Sequence, residues 1–164
     1  MYRDSAASTP LVLTIAGYAV EARDRRTGEI VWRFHMPETE NGWASRARCV
    51  MAGDRVVVAH LAEGKREGFL GTKSVECAPC VTCLARDDGA PIWTHELPGR
   101  INVGHFGATL VVDAGQVLVA TLNTLFALGV EDGALHWSAP VGGGTQPHVS
   151  VGIAVEGLSV HADR

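Results

Sequence analysis

The sequence predicts an all-β protein built from repeated four-stranded antiparallel sheets, and three observations predict it. Gly makes up 19 of the 164 residues, well above the usual share of roughly 7%. Val is abundant too, a composition of short strands separated by tight turns. A Gly followed four residues later by Trp recurs three times, at Gly28–Trp32, Gly89–Trp93 and Gly133–Trp137, which places three of the 4 Trp in one frame. Each Gly follows a turn former (Thr27, Asp88, Asp132), and ahead of each turn lies a short apolar run: Tyr18 to Ala22, Val81 to Ala85 and Thr124 to Leu128.

Each copy predicts a β-hairpin. One strand ends, the Thr-Gly or Asp-Gly turn supplies the positive φ that Gly tolerates, and a second strand returns. The fixed offset from the turn points every Trp to the same face, where a ring of that size fills the space between repeats. Two further strands precede the later hairpins. Arg55 to Ala59 and Gln116 to Ala120 follow small-residue turns, and Arg48 to Met51 and Thr109 to Val112 lie ahead of those turns. A full unit is therefore four strands. The expected layout is a flexible N-terminus over 1–10, blade strands over 11–36, a full blade over 46–98, a full blade over 105–141, and closing strands over 148–161. The first unit lacks a first strand and the last has little else, so the ends are expected to share one blade. The first two repeat glycines are 61 residues apart and the next two 44. The excess lies in the polar stretch 63–79, expected to be a long exposed loop.

Composition bounds the function. A hydrophobic share of 46% and a charged share of 20% describe a packed globule. The net charge of −4 argues against nucleic acid or an anionic membrane as partner, since both call for a basic footprint. No apolar run approaches the roughly 18–20 residues of a membrane span. Residues 1–10 lack the apolar core of a secretory signal, so a cytoplasmic location is expected; a removed signal is the alternative. The 4 Cys agree with that compartment, where reduced thiols are ordinary.

The repeat resembles that of the pyrroloquinoline-quinone-like (PQQ-like) β-propeller family, whose pattern is Ala-x-Asp-x-x-Thr-Gly-x-x-x-Trp. The first copy matches at Ala22, Asp24, Thr27, Gly28 and Trp32. The second keeps Gly89 and Trp93, with Cys83, Ala85 and Asp88 at the other positions. The third keeps Ala127, Gly133 and Trp137, with Gly129 and Asp132. The resemblance covers residues 11–157. It implies a β-propeller of about three blades, with the Trp rings docked between neighbouring blades. The family includes quinone-dependent alcohol dehydrogenases, an outer-membrane assembly lipoprotein and non-catalytic scaffolds. The dehydrogenases carry adjacent cysteines and acidic Ca²⁺ ligands; this sequence has no Cys-Cys pair and no matching acidic set.

Several other motifs bear on chemistry. Cys77, Cys80 and Cys83 form the densest ligand-like cluster, with Pro79 favouring a turn. Two thiols two residues apart on a turn can share Zn²⁺, and three supply most of a Zn or Fe–S site, with Cys49, a His such as His60, or water as the fourth ligand. Cys83, however, holds the place of Ala22 and Ala127. Structural thiols, or a Cys77–Cys80 disulfide, are therefore the expected reading, with no metal or other cofactor. The histidines (His35, His60, His95, His105, His136, His148, His161) are scattered without a ligand spacing. Gly142–Gly144 and Gly104/Gly107 read as inter-blade connections, since neither opens a helix. Arg23, Arg25 and Arg26 around Asp24 read as a solvated turn, or as a contact for an acidic partner. No nucleophile frame or catalytic carboxylate pair stands out.

The expected function is that of a non-catalytic scaffold or protein-interaction module. Propellers usually close with about 4–8 blades. A three-blade wedge leaves open faces and edges, so a homodimer closing one ring is expected, with a single-chain ring of about four blades or a larger protein supplying the missing blades as the alternatives. A quinone- or metal-binding oxidoreductase built round Cys77, Cys80 and Cys83 is the alternative.

Overall fold

The computed structural model describes residues 10–37, 47–67, 73–102, 107–141, 152–155 and 158–160. Every regular element among them is a β-strand. Expectations that fall on residues 1–9, on His105, His148 and His161, and on Gly104 and Gly142–Gly144 lie outside the described residues.

The first blade has three strands, β1 (Leu11–Ala16), β2 (Ala19–Asp24) and β3 (Ile30–His35), in that order. The second runs β4 (Arg48–Ala52), β5 (Arg55–Glu67), β6 (Lys73–Ala85) and β7 (Pro91–Glu96), with β8 (Ile101–Asn102) paired to β6. The third runs β9 (Thr109–Asp113), β10 (Gln116–Thr121), β11 (Thr124–Gly129) and β12 (Leu135–Pro140). A last hairpin joins β13 (Ile153–Val155) to β14 (Leu158–Val160). All pairings are antiparallel, as alternating short strands and tight turns dictate.

Period-two alternation decides which residues face which neighbour. On β5, Val56 and Val58 pack toward the first blade with Val20, Ala22, Trp32 and Leu84. Val57, Ala59 and Leu61 pack toward the third blade with Leu110, Val117, Val119, Phe126 and Leu128. The second blade is thus buried on both faces, which is why its central strands read as near-continuous apolar runs.

Three expectations are corrected. The loop expected over 63–79 is not found where that stretch is described; residues 68–72 lie outside the described residues. Residues 63–67 and 73–79 are strand, continuing β5 and β6 in unbroken register from Arg55↔Ala85 to Glu67↔Lys73. A polar sequence looks like a loop because it has no apolar face to bury, yet ladder pairing satisfies its backbone groups whatever the side chains are. Pro79 sits in a strand and not in a turn. It falls between the stretches of β6 paired to β7 and to β8, where that edge of the ladder is interrupted. Its carbonyl accepts the Leu97 N–H at 2.8 Å. Finally, β13 does not join the first blade. It pairs with β14, and Ile153 packs with Val111 and Ala120 on the far face of the third blade, as the start of a further blade.

Candidate functional site: the joints between blades

The turns that carry the repeat share one construction. Gly28, Gly89 and Gly133 have φ of 75°, 72° and 69°, the left-handed region that favours glycine. Their N–H groups donate to Asp24, Ala85 and Gly129 four residues back, at 2.8, 2.9 and 2.9 Å. The side chain before each glycine accepts the N–H of the residue after it: Thr27 Oγ1 from Glu29 at 3.2 Å, Asp88 Oδ1 from Ala90 at 2.9 Å and Asp132 Oδ1 from Ala134 at 3.0 Å. Thr and Asp interchange here because each offers one oxygen at the right reach. Each turn is five residues long, wider than the two-residue link of the tightest hairpins.

Two joints are built on these turns. The Trp32 ring lies on Gly89, so close that a Cβ there would sit 2.6 Å from the ring. Its Nε1–H donates to the Arg86 carbonyl at 2.7 Å. One blade further on, the Trp93 ring lies on Gly133, where a Cβ would sit 2.5 Å from it. Its Nε1–H donates to the Val130 carbonyl at 3.0 Å. In both joints the accepting residue stands three places before the glycine. Glycine therefore serves twice, for its φ and for the missing Cβ. The Arg55 guanidinium adds an ion pair to Glu131 across the second joint.

The expectation that all three repeat Trp are buried holds for one of them. Trp32 is 7% exposed, Trp93 is half-buried, and Trp137 is 42% exposed. Burial depends on what the next blade offers, and among the described residues Trp137 has no turn to cover.

The thiols do not converge. Along a strand, successive side chains alternate faces, so Cys77 and Cys83 point into the core shared with the third blade and Cys80 points to the other side. Cys77 and Cys83 are six strand residues apart, roughly 20 Å at 3.3 Å per residue. One ion cannot bridge that span, and neither the turn-borne Zn²⁺ or Fe–S geometry nor a Cys77–Cys80 disulfide suits a strand. None of the four cysteines is in a disulfide, and among the described residues no group of His, Cys, Asp and Glu is placed to hold a metal. Burial pushes the Cys80 thiol up to about 11 and also raises Cys49 and Cys83. These thiols remain protonated, and thus poor ligands and nucleophiles, at neutral pH.

The histidines are equally dispersed. His35 and His136 are exposed and His95 is half-buried. His60 is buried between the first two blades, where Nε2 meets Thr82 Oγ1 at 2.9 Å and Thr82 meets Thr94 Oγ1 at 3.0 Å. The Phe34 ring stands edge-on to it, with centroids 6.4 Å apart. Burial lowers the His60 pKa. The folded chain holds the ring neutral while the unfolded chain takes up a proton near pH 6.5, so stability is full above that pH and falls as the pH drops below it. Thermal melts between about pH 7.5 and 5.5 are expected to show a steeper acid loss for wild type than for His60→Gln. Identical slopes would contradict this.

The Arg cluster is a solvated turn only in part. Arg25 and Arg26 are exposed, with Asp24 Oδ1 accepting the Arg26 N–H at 2.7 Å. Arg23 instead pairs with Glu21, which also accepts from Arg33 Nε at 2.8 Å. Hydrogen bonds from Arg33 and then Arg23 hold the Glu21 carboxyl below its ordinary range. Glu21 and the Arg55–Glu131 pair were not picked out from the sequence, since each depends on a partner in another strand or another blade.

The joints, the blades and their order define a propeller segment. The family model described as outer membrane protein assembly factor BamB matches residues 79–158. Among solved structures, BamB from Moraxella catarrhalis superposes with a TM-score of 0.59 at 21% sequence identity, over 97% of this chain and 44% of that one. This chain thus spans less than half the length of that protein, and at such identity the likeness concerns the fold. No curated protein matches the chain. Residues 79–158 carry the PQQ-like repeat, and the chain has the fold of a β-propeller segment of about three blades.

Proposed function

We propose that the chain is a non-catalytic PQQ-like β-propeller module that acts as a structural or protein-interaction scaffold and is completed by oligomerisation, most simply as a homodimer. The observation that carries this reading is the unequal use of three equivalent Trp: two lie on a neighbouring blade and Trp137 is 42% exposed on the third. The match to an assembly-factor family supports a role in binding protein. Cytoplasmic residence belongs to the same reading, because reduced thiols are ordinary there; fractionation of the native host tests it.

The oxidoreductase alternative needs a quinone or a metal at Cys77, Cys80 and Cys83, and the alternation of β6 works against it. Metal analysis and an absorption spectrum of the purified chain are expected to show neither Zn, Fe nor a quinone chromophore in stoichiometric amount. A stoichiometric metal whose chelation lowers the melting temperature would replace the scaffold reading with the oxidoreductase one.

A further inference from the structure

We infer that Trp137 of one copy docks on the Gly28 turn of a second copy, with its indole N–H donating to the Arg25 carbonyl, so that the same joint that holds the blades together also holds two chains together. The inference rests on the oligomerisation in the proposed function and names the contact that would perform it.

Among the described residues, one key and one seat of the same pattern are unused. The seats at Gly89 and Gly133 are buried beneath Trp32 and Trp93. The seat at Gly28 has the same left-handed φ of 75°, is exposed, and among the described residues meets no atom beyond its chain neighbours within 4 Å of where a Cβ would stand. Its anchoring is equivalent as well. The Arg25 N–H donates to Pro10 at 2.8 Å, as Arg86 does to Asp54 at 2.9 Å and Val130 to Gly115 at 3.0 Å. The carbonyls of Arg86 and Val130 are the ones the engaged Trp residues use, and Arg25 stands in the same place before Gly28.

The surrounding faces bear on the fit. The first blade presents Glu21 on the side away from the second blade, where Arg23 and Arg33 already pair with it, so docking does not leave that carboxylate without a partner. The inner edge of β1 is unpaired among the described residues. That edge of β1 is the one along which the second and third blades carry their first strands, β4 and β9. Two such joints related by a two-fold axis close the pair, each copy giving a key and a seat.

Light scattering and sedimentation of the full chain across a dilution series test this. Wild type is expected to show a species of twice 17.4 kDa that dissociates on dilution. Trp137→Ala removes the key at an exposed position, so the chain still folds. The dissociation constant is expected to rise about 30-fold or more, as for a truncated Trp at the centre of an interface. Gly28→Ala, whose Cβ would meet the incoming ring, is expected to do the same while circular dichroism stays that of wild type. Wild type at 17.4 kDa under all conditions would overturn both this contact and the proposed oligomerisation. Association of wild type that either variant leaves unchanged would overturn this contact alone.

Discussion

Trp32→Ala is expected to lower the stability of the chain by about 3–5 kcal/mol, the range for truncating a buried aromatic side chain. Trp32 is 7% exposed and packs in one cluster with Val20, Ala22, Val56, Val58 and Leu84 from two blades. Removing it opens a cavity at the first joint. It also removes the indole donor of the 2.7 Å hydrogen bond to Arg86. Trp137→Ala supplies the internal control, because its ring is 42% exposed and a surface truncation changes stability by about 0.5 kcal/mol or less. Urea unfolding of both variants, at a dilution where the chain is monomeric, gives the comparison. A Trp32→Ala midpoint equal to that of wild type would refute the joint as a stabilising contact.

Alanine at Gly89 is expected to destabilise by about 2–5 kcal/mol, from two separable causes. A left-handed φ disfavours an L-residue by about 1–2 kcal/mol. Forcing a methyl group into a filled space adds about 1–3 kcal/mol, and here a Cβ would stand 2.6 Å from the Trp32 ring. The Gly28→Ala variant isolates the first cause, because its φ is 75° and the space beside it is open within 4 Å. The difference between the two substitutions therefore measures the packing cause. Combining Gly89→Ala with Trp32→Ala is expected to be less harmful than the sum of the two, since the methyl group would enter the space the ring has left. Strict additivity would show that ring and turn do not touch.

Strand identity and the repeat were legible because they depend on local chemistry. Thr27, Asp88 and Asp132 mark the turns through one short side-chain bond each, and Gly28, Gly89 and Gly133 through φ, and all six lie within a few residues of what they control. The Trp joints were legible as a direction, since a constant offset from a turn fixes a face. The extent of the second blade was not. Residues 63–67 and 73–79 form a ladder through backbone groups common to every residue, so nothing in their side chains announces it. The Cys cluster misled for a related reason. A C-x-x-C spacing brings thiols together on a turn and sends them to opposite faces on a strand, and Pro79 suggested the turn.

By itself, the sequence determined the all-β class, the blade as the repeating unit, the positive-φ turns and the face on which each Trp stands, because those follow from interactions a few residues long. Tertiary structure alone decided that Trp32 is covered and Trp137 is not, that β13 stacks on the third blade without joining the first, and that Glu131 answers Arg55. Those outcomes depend on which blade lies next in space. A periodic sequence carries the same signal in every copy, whereas burial depends on the neighbour each copy meets.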